Sequence, residues 1–144
     1  MTMTGGHFCV TTLCVRLTGA HIVGIGSVAP MTLDWCKPLE EQCSGQANDP
    51  READVILAVE TVWLCELIQP FVQTVTAIMK GPKRPECIFI NGERATAQSK
   101  AFARMQEVMD AFEAVGCNWE QVLEAPSDEP NKPTKMFRVW YSIN

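Results

Sequence analysis

Two compact apolar runs occupy the middle of the chain. Residues 53–59, Ala-Asp-Val-Ile-Leu-Ala-Val, end at a single acid, Glu60, and residues 87–90, Cys-Ile-Phe-Ile, end at Asn91-Gly92. Between them residues 66–80 are amphipathic, with Leu67, Phe71, Val75 and Ile78 on one face, and the cluster Gly-Pro-Lys-Arg-Pro at 81–85 stops them. Pro70 is compatible with a helix there only within its first turn. A short buried strand, a helix-length crossover and a second short buried strand make a βαβ unit, and so a parallel sheet. Ligands of such sheets lie beyond the carboxyl ends of the strands. Glu60 stands at that position.

The remaining pattern adds elements on both sides. Val10, Leu13, Cys14 and Leu17 fall at helical spacing, which predicts a helix over residues 7–17 with Thr18-Gly19 as its end. Residues 21–26 read as a buried strand weakened by glycine. Gly24, Gly26 and Ala29 match the dinucleotide pattern GxGxxA, but Pro30 follows at once and leaves no room for the helix that pattern needs. Residues 31–35 form a short strand and 36–53 a loop. Phe102, Met105, Val108, Met109, Phe112 and Val115 make a continuous stripe, predicting a core-facing helix over 95–115 that Gly116 ends. Strands are expected at 117–124 and 136–143, joined by a turn over 125–133. Phe137, Val139, Tyr141 and Ile143 share one face of the last strand.

At 144 residues the chain makes one domain, and 47% hydrophobic with 20% charged residues is an ordinary globular composition. A net charge of −5 argues against a nucleic-acid partner, since phosphate binding needs a basic surplus on one face. Seven cysteines without a CxxC, and no His at ligand spacing, give no metal site and no disulfide framework. They read as small buried hydrophobes in a reducing compartment, which implies a cytoplasmic protein. Residues 8–30 are apolar, yet Arg16, His21, Gly19, Gly24 and Gly26 interrupt them, so no membrane span is expected. His7 and His21 have no Ser or Cys at a telling spacing, which leaves triad chemistry unsupported.

Three stretches resemble the class I, seven-β-strand methyltransferases that use S-adenosylmethionine, and most closely their protein-lysine branch. Leu33-Asp34-Trp35 is similar to that family's Leu-Asp-Trp strand end, where the indole lies against the adenine of the cofactor. Residues 53–63 are similar to its Ala-Asp-Val-Ile-Leu-Ala-Ala-Asp-Val-Val-Tyr stretch, and 135–141, Lys-Met-Phe-Arg-Val-Trp-Tyr, to its closing strand. The resemblance covers roughly residues 9–143. It implies an α/β, Rossmann-like methyltransferase sheet in one partial domain over 1–144, incomplete on its first-strand side and with an antiparallel last strand. The implied activity is S-adenosylmethionine-dependent methylation of a protein lysine.

The residues that carry this over depart from the family pattern. Its Asp-x-x-Tyr motif stands here as Glu60-Thr61-Val62-Trp63, so Glu60 and Trp63 are the catalytic candidates. Val59 replaces a small residue and crowds the cofactor. The ribose-binding acid falls on Gly26 or Ser27, and Gly5-Gly6 stand as the remnant of the glycine loop, with no strand before them. Gly5, Gly6, Gly26, Trp35, Val59 and Glu60 are therefore the candidate cofactor residues, and cofactor binding is expected to be weak. Methyl transfer asks for a sulfonium and a deprotonated amine held in line, served by a carboxylate and an aromatic wall. Without that role Glu60 is an acid capping the next helix and Trp63 a partly buried core indole. No cation stands near Glu60 in sequence, Arg51 and Lys80 being the closest, so a solvent- or ligand-facing carboxylate is the cheaper arrangement. Asp34 reads as a turn residue. The loop Asn91-Gly92-Glu93-Arg94 is either a turn before a helix or a substrate-side loop whose Glu93 meets a cationic lysine. A domain that has lost the cofactor and acts as a protein-interaction module is the alternative function, and a nucleotide-binding protein using Gly24–Ala29 a third.

Overall fold

The computed structural model describes residues 10–16, 27–45, 49–94, 100–127, 129 and 132–142, with the backbone alone for 10–16 and 27–30. The elements run β1 (Val10–Arg16), β2 (Ser27–Leu33), α1 (Leu39–Cys43), β3 (Val55–Val59), α2 (Ile68–Met79), β4 (Glu86–Gly92), α3 (Met105–Ala114), β5 (Cys117–Ala125) and β6 (Thr134–Tyr141).

The predicted βαβ unit forms. β3 and β4 are adjacent and parallel, in register from Val55 opposite Glu86 to Val59 opposite Ile90. β6 is antiparallel to both its neighbours, β4 and β5, as expected of the last strand. The result is a mixed four-stranded open sheet in the order β3-β4-β6-β5. α2 begins after a 3-10 turn at Cys65–Leu67, and Pro70 sits in its first turn, where a missing N–H costs nothing.

Alternation along the strands decides where the core lies. Ile56 and Ala58 of β3, Cys87 and Phe89 of β4, and Phe137 and Val139 of β6 are buried on one face. α2 and α3 pack there. Phe71 of α2 meets Phe89 at 5.6 Å and Phe112 of α3 at 6.0 Å between ring centroids. The opposite face of β3 is open: Val55, Leu57 and Val59 are 47, 65 and 53% exposed. The apolar run at 53–59 is thus buried on one side only, a correction to the fully buried strand expected from its composition. β3 is also an end strand of the sheet, with no strand on its far side among the described residues.

Three further expectations are corrected. The spacing of Val10, Leu13 and Cys14 predicted a helix, but Val10–Arg16 is a strand laddered antiparallel against Ser27–Leu33, from Val10 opposite Leu33 to Arg16 opposite Ser27. Val10, Thr11, Thr12 and Val15 are β-branched, stiff at χ1 and better placed on a pleated surface than in a helix. The short strand expected at 31–35 starts earlier and stops at Leu33, and Pro30 is tolerated within it because this two-stranded sheet consists of edges. The loop expected at 36–53 contains α1 and a 3-10 turn at Pro50–Glu52.

The long helix expected over 95–115 begins only at Met105. Arg104 is extended at φ −91° and ψ 143°, and its N–H is taken by Glu107 Oε2 at 3.1 Å, so the helix is capped there. Ahead of that cap, the Ala101 carbonyl accepts from Cys65 N–H at 2.9 Å, and Ala103 N–H donates to the Trp63 carbonyl at 3.0 Å. The strand expected at 21–26, the GxGxxA glycines Gly24 and Gly26, and the Gly5-Gly6 remnant lie outside the described residues.

Among the described residues Cys36, Cys65, Cys87 and Cys117 are free thiols. No group of His, Cys, Asp and Glu among them has the makings of a metal site, and no described helix is long and apolar enough to cross a membrane.

Candidate functional site

Three segments meet at the carboxyl ends of the parallel pair: 60–65 leaving β3, 91–94 at and just past the end of β4, and 101–105 entering α3. Glu60 joins the first two. Its N–H donates to the Ile90 carbonyl at 2.8 Å and continues the ladder one step beyond β3. Its backbone then turns left-handed, at φ 51°. That region crowds the Cβ of any L-residue, and its occupation by a non-glycine residue is strain to be accounted for.

The turn places the carboxylate over the end of β4. Glu60 Oε1 accepts the Gly92 N–H at 2.6 Å, and Oε2 accepts from Arg94 Nη2 at 2.8 Å. Gly92 fits this approach because a Cβ there would stand only 3.3 Å from Glu60 Oε1. Glu60 therefore does not cap the next helix: the following 3-10 turn has Leu64 at its N-cap and no side-chain cap. The absence of a nearby cation in sequence is overturned by folding, which supplies Arg94. The carboxylate stays partly open, with side-chain exposures of 40% for Glu60 and 53% for Arg94.

The other contacts tie the segments together. Asn91 is buried, and its Nδ2 donates to the Val62 carbonyl at 3.1 Å. Glu93 Oε2 accepts from Met105 N–H, the first N–H of α3, at 3.2 Å. This is a favourable place for a carboxylate beside the positive end of a helix. Trp63 is 41% exposed rather than a core indole, and its ring centroid lies 6.4 Å from that of Phe102. Phe102, predicted as part of the core stripe, is 38% exposed and bridges the strand-like segment at Leu64.

The sequence-predicted residues separate accordingly. Glu60 and Trp63 lie in the same segment leaving β3. Val59 points to the open face of the sheet. Trp35 sits in the core at 8% exposure, its ring 5.2 Å from Phe71. Asp34 opens a turn, its carboxylate accepting from Cys36 N–H at 3.0 Å and its carbonyl from Lys37 N–H at 3.1 Å. Gly5, Gly6 and Gly26 lie outside the described residues.

Sequence reasoning gave Thr61 no role of its own, placed Phe102 in the core stripe, and took Asn91 and Arg94 only as members of the loop 91–94. One signal was present for Asn91: it continues the alternation Cys87, Phe89 onto the buried face, where an amide is out of place unless it holds something. Nothing local marked Arg94 as the partner of an acid 34 positions away.

No protein-family model, no curated protein and no solved structure matches this chain.

Proposed function

We propose that the domain binds S-adenosylmethionine at the carboxyl ends of β3 and β4 and serves methyl transfer to a protein lysine. The observation that supports this most is Glu60, a non-glycine residue held at φ 51° where a strained backbone aims a carboxylate over the strand ends. Of the candidate cofactor and catalytic residues, Glu60 and Trp63 suit a cationic group. Glu60 supplies negative charge, and the half-exposed Trp63 beside Phe102 offers an aromatic wall for a sulfonium. When bound, the cofactor supplies the methyl group.

This chain's own part is to place charge. The Gly92 N–H holds Glu60 Oε1 in position, while Oε2 is held by Arg94 in a partly exposed ion pair. Pairs of that kind contribute about 0–1 kcal/mol. A cationic ligand can take the place of Arg94 at little cost. The test is transfer of label from tritiated S-adenosylmethionine to lysine-containing peptides. Glu60→Ala is expected to remove transfer and remain folded; transfer unchanged in that variant overturns the assignment.

The open edge and face of β3 favour a second reading, a non-catalytic interaction module. An extended apolar peptide added along β3 gains main-chain hydrogen bonds and covers Val55, Leu57 and Val59. No transfer in the labelling assay, with a Val/Ile-rich strand peptide bound by the native chain and lost in Leu57→Lys, would select this reading.

A further inference from the structure

The pairing of β3 with β4 fixes which of its backbone groups face the free edge of the sheet. The Glu60 N–H donates to the Ile90 carbonyl, and Val59 stands opposite Ile90 in the parallel register. Along such a ladder every second residue bonds the neighbouring strand, so Ile56, Ala58 and Glu60 turn their backbone to β4. Val55, Leu57 and Val59 turn theirs outward, where no strand lies among the described residues. The same three residues carry the exposed side chains of the open face. Free edges are ordinarily blunted by a lysine, a proline or a bulge. Val55–Val59 has none of these.

This edge reads alike from both ends. Val-x-Leu-x-Val is symmetric about Leu57, and so are the charges that flank it. Asp54 precedes the strand and holds Lys83 at 2.9 Å; Glu60 follows it and holds Arg94 at 2.8 Å. An isologous two-fold contact needs a patch that is complementary to itself. Antiparallel pairing of two such edges about Leu57 sets Leu57 against Leu57 and each Val55 against a Val59. Every one of these residues then faces its opposite with both N–H and C=O, the arrangement in which a pair exchanges two hydrogen bonds. Asp54 falls opposite Glu60, but each acid brings its own base, so the ends are balanced. A slip of two residues would instead set Val59 against Ala53, whose N–H is already taken by the Pro50 carbonyl at 3.1 Å.

We infer that β3 is the contact of a homodimer, in which two copies of this chain pair antiparallel about Leu57 and join their sheets into one. The pairing rests on the open edge that favours the interaction-module reading, and it makes the partner a second copy rather than a foreign strand. The apolar side chains of the two open faces become one strip across the dimer axis, valine beside valine and leucine beside leucine. A standard interface takes about 20–30 residues a side. β3 supplies five, so the dimer forms and dissociates with concentration.

Sedimentation velocity of the whole chain over a range of concentrations tests this, with a charge exchange at the axis as the deciding step. The native chain is expected to pass from monomer to dimer as concentration rises. Leu57→Lys and Leu57→Glu each set like charges against one another, and each alone should weaken the dimer by about tenfold or more. Their equimolar mixture should recover it, since a lysine then faces a glutamate. Leu57 is exposed, and a melt of each variant checks that it folds. If either does not, Val55→Lys mixed with Val59→Glu makes the same exchange one pair away from the axis. A native chain that stays monomeric, a dimer indifferent to Leu57→Lys, or a mixture that stays monomeric each overturns the inference. A monomer that binds the Val/Ile-rich strand peptide overturns it and sustains the interaction-module reading. A dimer with charge rescue, in a chain that the peptide does not bind, supports the inference and counts against that reading.

Discussion

Replacing Glu60 by Ala and by Gly separates what its backbone costs from what its carboxylate contributes. At φ 51° the left-handed backbone costs an L-residue about 1–2 kcal/mol. Both variants lose the bond to Gly92 N–H and the pair with Arg94. With a side chain 40% exposed, the first is worth about 0.5–1.5 kcal/mol and the second about 0–1 kcal/mol. Glu60→Ala keeps the strain and loses the contacts, so it should destabilise by about 1–2 kcal/mol. Glu60→Gly removes the strain but adds about 0.5–1 kcal/mol of chain entropy to be lost on folding. It should be the more stable variant, by about 0.5–1 kcal/mol, and close to the native chain. Urea unfolding of the three proteins, with slopes compared to show a common unfolding transition, measures this directly. An Ala variant as stable as the Gly variant, or more so, would refute the left-handed turn and the placement of the carboxylate derived from it.

Other parts of the fold give sharp expectations. A Cβ on Gly81 would meet the Arg51 carbonyl oxygen at 2.7 Å, so Gly81→Ala should lower stability by about 1–3 kcal/mol, read in the same unfolding assay. Burial pushes the Cys87 thiol up to about 12, with the nearby Cys117 adding to it, so Cys87 should resist iodoacetamide at neutral pH in the native chain while the exposed Cys36 reacts; mass spectrometry of digests distinguishes them. The Arg138 guanidinium holds the Glu86 carboxyl below its ordinary value of 4.5. A depressed folded-state value means that its contribution is present above that ordinary value and is lost as pH falls through the lower one. Glu86→Gln should therefore flatten the acid limb of stability against pH and leave neutral behaviour little changed, as pH-dependent melts would record.

How much of this was legible in the chain depended on whether the forces were local. β3, α2 and β4 were readable because short apolar runs, a breaker cluster and Pro70 all favour the same elements. β6 was readable because Phe137 and Val139 alternate onto one face. The first helix failed because a helical spacing of four residues was outweighed by the β-branched Val10, Thr11, Thr12 and Val15 and a full ladder to β2. The helix at 95–115 was drawn too long because Phe102 fits the stripe, although its ring is taken by Trp63 and the cap at Arg104–Glu107 starts the helix later. At the strand ends, Glu60 was marked by ending an apolar run. Its partners were not, because Gly92 and Arg94 reach it only through the parallel register of β3 and β4.

Isothermal titration of the native chain and of Glu60→Ala with S-adenosylmethionine bears most directly on the proposed function. Saturable heat from the native chain, absent in a variant whose melt shows it folded, is the predicted result. No saturable heat from the native chain, or equal binding by the two proteins, would contradict the role given to Glu60 at the carboxyl ends of β3 and β4.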